Sequence, residues 1–128
     1  MKKFTLVLAV LILSGFIGFQ IFSASIRKSL ASLENAAINM NNIADGVYSG
    51  HSELGPVSVD VEVHVTNHKL SKVDLIRHAC GLGHPADVIV EQMTAQNTYD
   101  VDAVSGATIS SNVIKNAVNK ALLQGKNR

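Results

Sequence analysis

The sequence predicts an α+β fold: an N-terminal transmembrane helix, then a small antiparallel sheet with helices packed on it. Three stretches point to it. Phe4 to Phe22 carries no charge. Val57, Val59, Val61, Val63 and Val65 alternate with Ser58, Asp60, Glu62, His64 and Thr66. Ile109 to Gln124 repeats its apolar residues at helical spacing. Together they divide the chain into 1–25, a membrane segment; 26–45, a juxtamembrane helical linker; and 46–124, a folded domain.

The first element is the apolar run, interrupted only by Thr5, Ser14 and Gln20. At ~1.5 Å per residue it reaches about 28 Å, close to the hydrocarbon thickness of a bilayer. Lys2 and Lys3 precede it, which suits a cytoplasmic N-terminus. Cleaved signal peptides have apolar regions of roughly 7–15 residues, so an uncleaved signal anchor fits this length better. Either reading delivers the rest of the chain outside the cytoplasm, and the anchor places it on a cell membrane as a single-pass protein. Beyond the run, Ile26, Leu30, Leu33, Ala37, Met40 and Ala44 recur at heptad-like spacing, as a helical spacer or a short dimerising seam.

Asp45-Gly46 is a turn, and Gly46 to Gly50 reads as a short first strand before the Gly55-Pro56 break. The valine alternation that follows has the period of two expected of a strand with one buried and one wet face. Asn67-His68-Lys69 turns the chain, and Leu70 to His78 returns as the antiparallel partner. Pro85 to Thr94 changes period and reads as a short helix opened by proline. Gln96 to Val101 is polar and extended. In the last element Ile109, Val113, Ala117, Val118, Ala121 and Leu122 form one face, and Asn112, Lys115, Asn119 and Lys120 the other.

The 128 residues allow one small domain plus an appendage, and a net charge of +1 argues against a nucleic-acid partner. The single Cys80 permits no intrachain disulfide, so the domain must find stability elsewhere, a bound cofactor being one source. His78, Cys80 and His84 fall within seven residues. Their spacing suggests no fourth ligand, and the other histidines are scattered, so no metal site is expected.

The stretch Val101 to Asn112, "VDAVSGATISSN", holds the chemistry. Ser105, Gly106, Ala107 and Thr108 gather hydroxyls and small residues at the entrance to the last helix. Helix starts offer unpaired N–H groups and partial positive charge, and so bind phosphate. Gly106 permits unusual backbone angles, Ala107 keeps the surface clear, and Ser105, Ser110 and Ser111 are hydroxyl donors for phosphate oxygens. Plain N-capping by Ser or Thr is the alternative.

"DAVSGAT", Asp102 to Thr108, followed by Ser110-Ser111, resembles the flavinylation motif of FMN-binding domain proteins: an aspartate, two variable residues, Ser or Thr, Gly, Ala and Thr. Such domains occur in the C subunit of the sodium-pumping NADH:quinone oxidoreductase and the G subunit of its Rnf relative. The resemblance spans about Gly46 to Leu122 and includes "DGVYSGHS" and "HACGLGHPADVIVEQM". It implies that a flavin transferase splits FAD and esterifies FMN through its phosphate to Thr108. Ser105, Gly106 and Ala107 would shape the loop, and Asp102 would belong to the transferase's recognition signal. The implied role is a membrane-anchored extracytoplasmic electron carrier rather than a stand-alone enzyme, a redox-responsive interaction module being the alternative. Its electron donors and acceptors would be redox partner proteins or small molecules. The flavin ring needs a flat bed and polar contacts, for which Tyr48 and the loop glycines Gly81 and Gly83 are candidates. Their plainer readings are a core strand residue and turn residues.

Overall fold

The computed structural model of the chain describes residues 1–79 and 84–126. They form two compact units, Met1–Ser32 and the remainder from Leu33. The first unit is one helix, α1 (Lys2–Ala31), with no buried residue. Its mean hydropathy reaches 2.3, and it is long and apolar enough to cross a membrane. Three hydroxyls within it bond back along the helix: Thr5 to the Lys2 carbonyl at 2.9 Å, Ser14 to Leu11 at 2.9 Å and Ser23 to Gln20 at 3.0 Å. Such back-bonding satisfies these hydroxyls within the helix itself.

The helix ends at Ala31, and residues 33–39 are not helical. The seam expected from Ile26 to Ala44 is therefore not continuous. Asparagines of the last helix hold 34–36 as irregular backbone, as described below, and a 3₁₀ turn at Met40–Asn42 is capped by the Asn39 side chain. Ile43 then enters the core, fully buried.

Three strands make an antiparallel meander in the order β1 (Gly46–Leu54), β2 (Val57–Thr66) and β3 (Lys69–Ala79). All five alternating valines of β2 are buried. Each contributes about 1.5 kcal/mol on the usual area scale, which makes this strand the spine of the core. The first strand runs four residues beyond the expected Gly50. Gly55-Pro56 closes a two-residue hairpin, with Leu54 paired to Val57, rather than breaking the chain. Gly55 has φ +58°, the sign required at the first position of a type II′ turn.

The second hairpin turns through Asn67 and His68, with φ of +53° and +59°, the signature of a type I′ turn. Asp45 clasps this turn. Its carboxylate accepts the Asn67 N–H at 2.9 Å and the His68 N–H at 3.0 Å. These bonds, that of His68 foremost, hold the Asp45 carboxyl below the usual carboxylate range. Two irregularities interrupt the β2–β3 register, between Asp60 and Val61 and between His64 and Val65. They leave Ile76 and Ser71 of β3 unpaired, which is why β3 lacks the clean alternation of β2.

A 3₁₀ segment (His84–Val88) leads into α2 (Ile89–Gln96), which packs on β3, and α3 (Thr108–Lys126) lies across β1 and β2. The single helix expected from Pro85 to Thr94 is thus two shorter pieces. Asn97 ends α2 in the left-handed conformation, and its side chain accepts the Leu70 N–H at 2.7 Å. Contact between α3 and β1 is close. A Cβ on Gly50 would lie 2.0 Å from the Ala117 carbonyl oxygen, so only glycine fits there.

Candidate functional site

The motif segment divides into an exposed surface and a buried support. Val104 to Ala107 form a tight turn closed by the Ala107 N–H on the Val104 carbonyl at 3.0 Å. Gly106 sits at its third position with φ +81°, as a type II turn demands. A Cβ there would meet nothing within 4 Å, so the glycine answers a backbone angle rather than a crowded surface. Asp102, Ser105, Gly106 and Thr108 are exposed, whereas Ala107 is buried.

Thr108 is the first residue of α3. The residue before it, Ala107, places its carbonyl at 3.0 Å from the Ser111 N–H, as an N-cap residue does, yet has no side chain with which to cap. The first turn also carries no acidic residue. Ser, Thr, Asp or Asn at the cap is worth about 1 kcal/mol over alanine, and acids in the first turn add to that. This helix uses neither device. Its positive end is left open beside an exposed hydroxyl.

Ser111 and Ser110 behave differently from expectation. Ser111 is fully buried, and its hydroxyl accepts the Val104 N–H at 3.0 Å and donates to the Ala107 carbonyl at 2.8 Å. Ser110 is 3% exposed. Neither faces the surface as a donor for phosphate. Ser111 instead ties the turn to the first turn of the helix. Asn112 donates to the Thr108 carbonyl at 2.8 Å.

Tyr48 is not brought to this surface. It is a core residue, 2% exposed, whose hydroxyl donates to the Ala44 carbonyl at 2.6 Å. Its ring lies against Gly125 near the C-terminal end of α3, where a glycine Cβ would approach it to 2.8 Å. Gly125 lies seventeen helical steps from Thr108, a span of about 25 Å. In this structure Tyr48 packs in the core between β1 and α3. Gly81 and Gly83 lie outside the described residues.

The polar face expected on α3 needs one correction. Asn119 is fully buried and Asn116 1% exposed, because the segment after α1 covers them. Asn119 accepts the Ala36 N–H at 3.0 Å and donates to the Ala36 carbonyl at 2.8 Å, pairing with that residue as a neighbouring backbone would. Asn116 accepts from Ser52 at 2.7 Å and donates to the Glu34 carbonyl at 2.9 Å. Tyr99 adds a bond to the Ala36 carbonyl at 3.2 Å. Burial, then the neighbouring Asp100, pushes the Tyr99 phenol up from its ordinary value. The sequence signal for this arrangement was two asparagines three apart on a face otherwise sharing small apolar residues.

The fold and this site define a small α+β domain that presents a hydroxyl at the open, positive end of a helix, behind a glycine turn. The family model of the FMN-binding domain matches residues 54–123, more than half of the chain, and the protein belongs to that family. It is a flavin-binding protein, and its cofactor is FMN. No curated protein matches the chain.

Proposed function

We propose that this FMN-binding protein carries its flavin covalently on Thr108 and works as a membrane-anchored electron carrier on the extracytoplasmic side. The observation that carries the reading is the exposed Thr108 on a helix start with no side-chain cap and no first-turn acid. In the attachment step, catalysed by a flavin transferase, Thr108 Oγ1 attacks the phosphorus of FAD nearest the riboflavin. The pyrophosphate P–O bond breaks, AMP leaves, the hydroxyl proton is lost to base or solvent, and FMN remains as a phosphodiester. That ester keeps about one negative charge, which the N–H groups of the first turn and the helix dipole stabilise by roughly 0.3–1 kcal/mol. Asp102, exposed six residues upstream, suits recognition by the transferase. Bound flavin supplies reversible one- or two-electron chemistry, and the protein's part is to hold and orient it.

Covalency also fits the compartment. A micromolar Kd corresponds to about 8 kcal/mol of binding, too little to retain a cofactor where its free concentration lies far below micromolar. Helix α1, with Lys2 and Lys3 before its apolar run, supports a single-pass anchor with a cytoplasmic N-terminus. The partners we infer are the transferase and redox proteins or small electron acceptors at the membrane surface. Co-expression with a flavin transferase should add about 0.44 kDa to the intact mass and leave a fluorescent band in a denaturing gel. Thr108→Ala should abolish both. A mass increment that survives this substitution would overturn the assignment.

A further inference from the structure

On the solvent face of the sheet, the ladder places two carboxylates directly opposite one another: Glu62 of β2 pairs with Asp74 of β3. Like charges in that arrangement destabilise a sheet unless a cation lies between them. His64, two residues along β2, points its Nε2 at the pair, 3.1 Å from Glu62 Oε1 and 3.4 Å from Asp74 Oδ2. Among the described residues that nitrogen is buried, and neither oxygen meets it with the geometry of a full hydrogen bond.

The two separations from His64 Nε2, 3.1 and 3.4 Å, are of the size found between adjacent ligands of a shared ion. With metal–ligand bonds of about 2.1 Å, adjacent ligands in a tetrahedral or octahedral shell lie about 3.0–3.4 Å apart. The three candidate ligand atoms all fall within 4.8 Å of one another. His51, on the same face, provides the contrast. Its Nδ1 makes an ordinary hydrogen bond of 2.6 Å with Asp60 and has no need of an ion. We propose that Glu62, His64 and Asp74 form a binding site for a divalent transition-metal ion of the zinc class, which clips β2 to β3. One imidazole and two carboxylates suit such an ion, with water completing the shell. Lys72, 2.8 Å from Asp74 Oδ2, is the competing cation and holds the Asp74 carboxyl below its usual range. This site is independent of the flavin.

The test uses tag-free, flavin-free full-length protein in detergent, titrated with Zn²⁺ near pH 7.5 by calorimetry. Wild type should take up one saturable equivalent and gain thermal stability with it. His64→Ala should weaken that uptake at least about tenfold, as should Glu62→Gln, which keeps the side chain's size should the alanine variant fold poorly. Lys72→Ala should tighten it by freeing Asp74, and His51→Ala should leave it unchanged. No saturable uptake by the wild type would overturn the proposal. So would uptake indifferent to both His64→Ala and Glu62→Gln, or uptake lost in His51→Ala.

Discussion

The buried Ser111 hydroxyl offers the sharpest test of how the attachment loop is built. Its replacement by alanine removes two bonds, from the Val104 N–H at 3.0 Å and to the Ala107 carbonyl at 2.8 Å. The second loss is mild, because that carbonyl keeps the Ser111 N–H at 3.0 Å. The first strands a half-buried N–H. One net hydrogen bond at about 1 kcal/mol, plus partial desolvation of the stranded donor, gives about 1–2 kcal/mol of destabilisation. For a unit of this size that corresponds to a fall in Tm of about 5–10 °C. Both tyrosines, Tyr48 and Tyr99, belong to the unit beginning at Leu33, so tyrosine fluorescence during thermal unfolding reports that unit without interference from α1. Ser105→Ala is the control: its side chain is exposed, and the change should stay within about 0.5 kcal/mol. Ser111→Ala should also slow flavin transfer to the intact Thr108, because the turn loses its tether to the helix. Equal melting temperatures for the two variants would refute the latch.

Further outcomes follow from the same geometry. Gly50→Ala would set a Cβ 2.0 Å from the Ala117 oxygen and 3.0 Å from the Ala121 Cβ, so α3 must lift from β1. A loss of about 2–3 kcal/mol in denaturant unfolding is expected, and a neutral result would contradict the close approach. Asn119→Ala removes both bonds to Ala36 and should cost about 2 kcal/mol while exposing residues 33–39 to limited proteolysis. The Asp45 clasp has a defined pH sense. The folded carboxyl titrates below its unfolded value of about 3.9, so its contribution is present above that value and fades as pH falls through the folded pKa. Amide NMR shifts of Asn67 and His68 should therefore move below about pH 4 in wild type and not in Asp45→Asn; their constancy in wild type would remove the clasp.

The parts of this structure that the sequence revealed are those governed by local period. The valine alternation of β2, the apolar run of α1 and the stripe of α3 each follow from one geometric repeat, and each formed. What stayed hidden depended on distant partners. The first strand continues past Gly50 because β2 pairs with Ser52, Glu53 and Leu54, which no local pattern encodes. Asn119 reads as a surface residue until the chain after α1 supplies a backbone for it to bond. Glu62, His64 and Asp74 are similarly scattered in the sequence, and cross-strand register alone assembles them. Within the motif, Thr108 at the helix start was legible from its neighbours, whereas the burial of Ser111 was not, since a serine in a first helical turn carries no mark of which way it faces.

The motif also dissolves an apparent choice between a plain helix entrance and a place built for chemistry. Gly106 is explained by its φ of +81° and Ala107 by its burial, with no appeal to a flavin. Those local demands have one consequence in common. The turn brings the chain into α3 with alanine at the cap, so no side chain there answers the first N–H groups, and Ser111, which could have competed for an anion, is committed to the turn beneath. Thr108 is then the hydroxyl presented where the helix end is open. A serine at position 107 would cap the helix and add about 1 kcal/mol of stability, but it would occupy N–H groups that a phosphoester on Thr108 would use. The sequence forgoes that stabilisation at the residue next to the proposed attachment point, which is where a cap would do most harm to the proposed function.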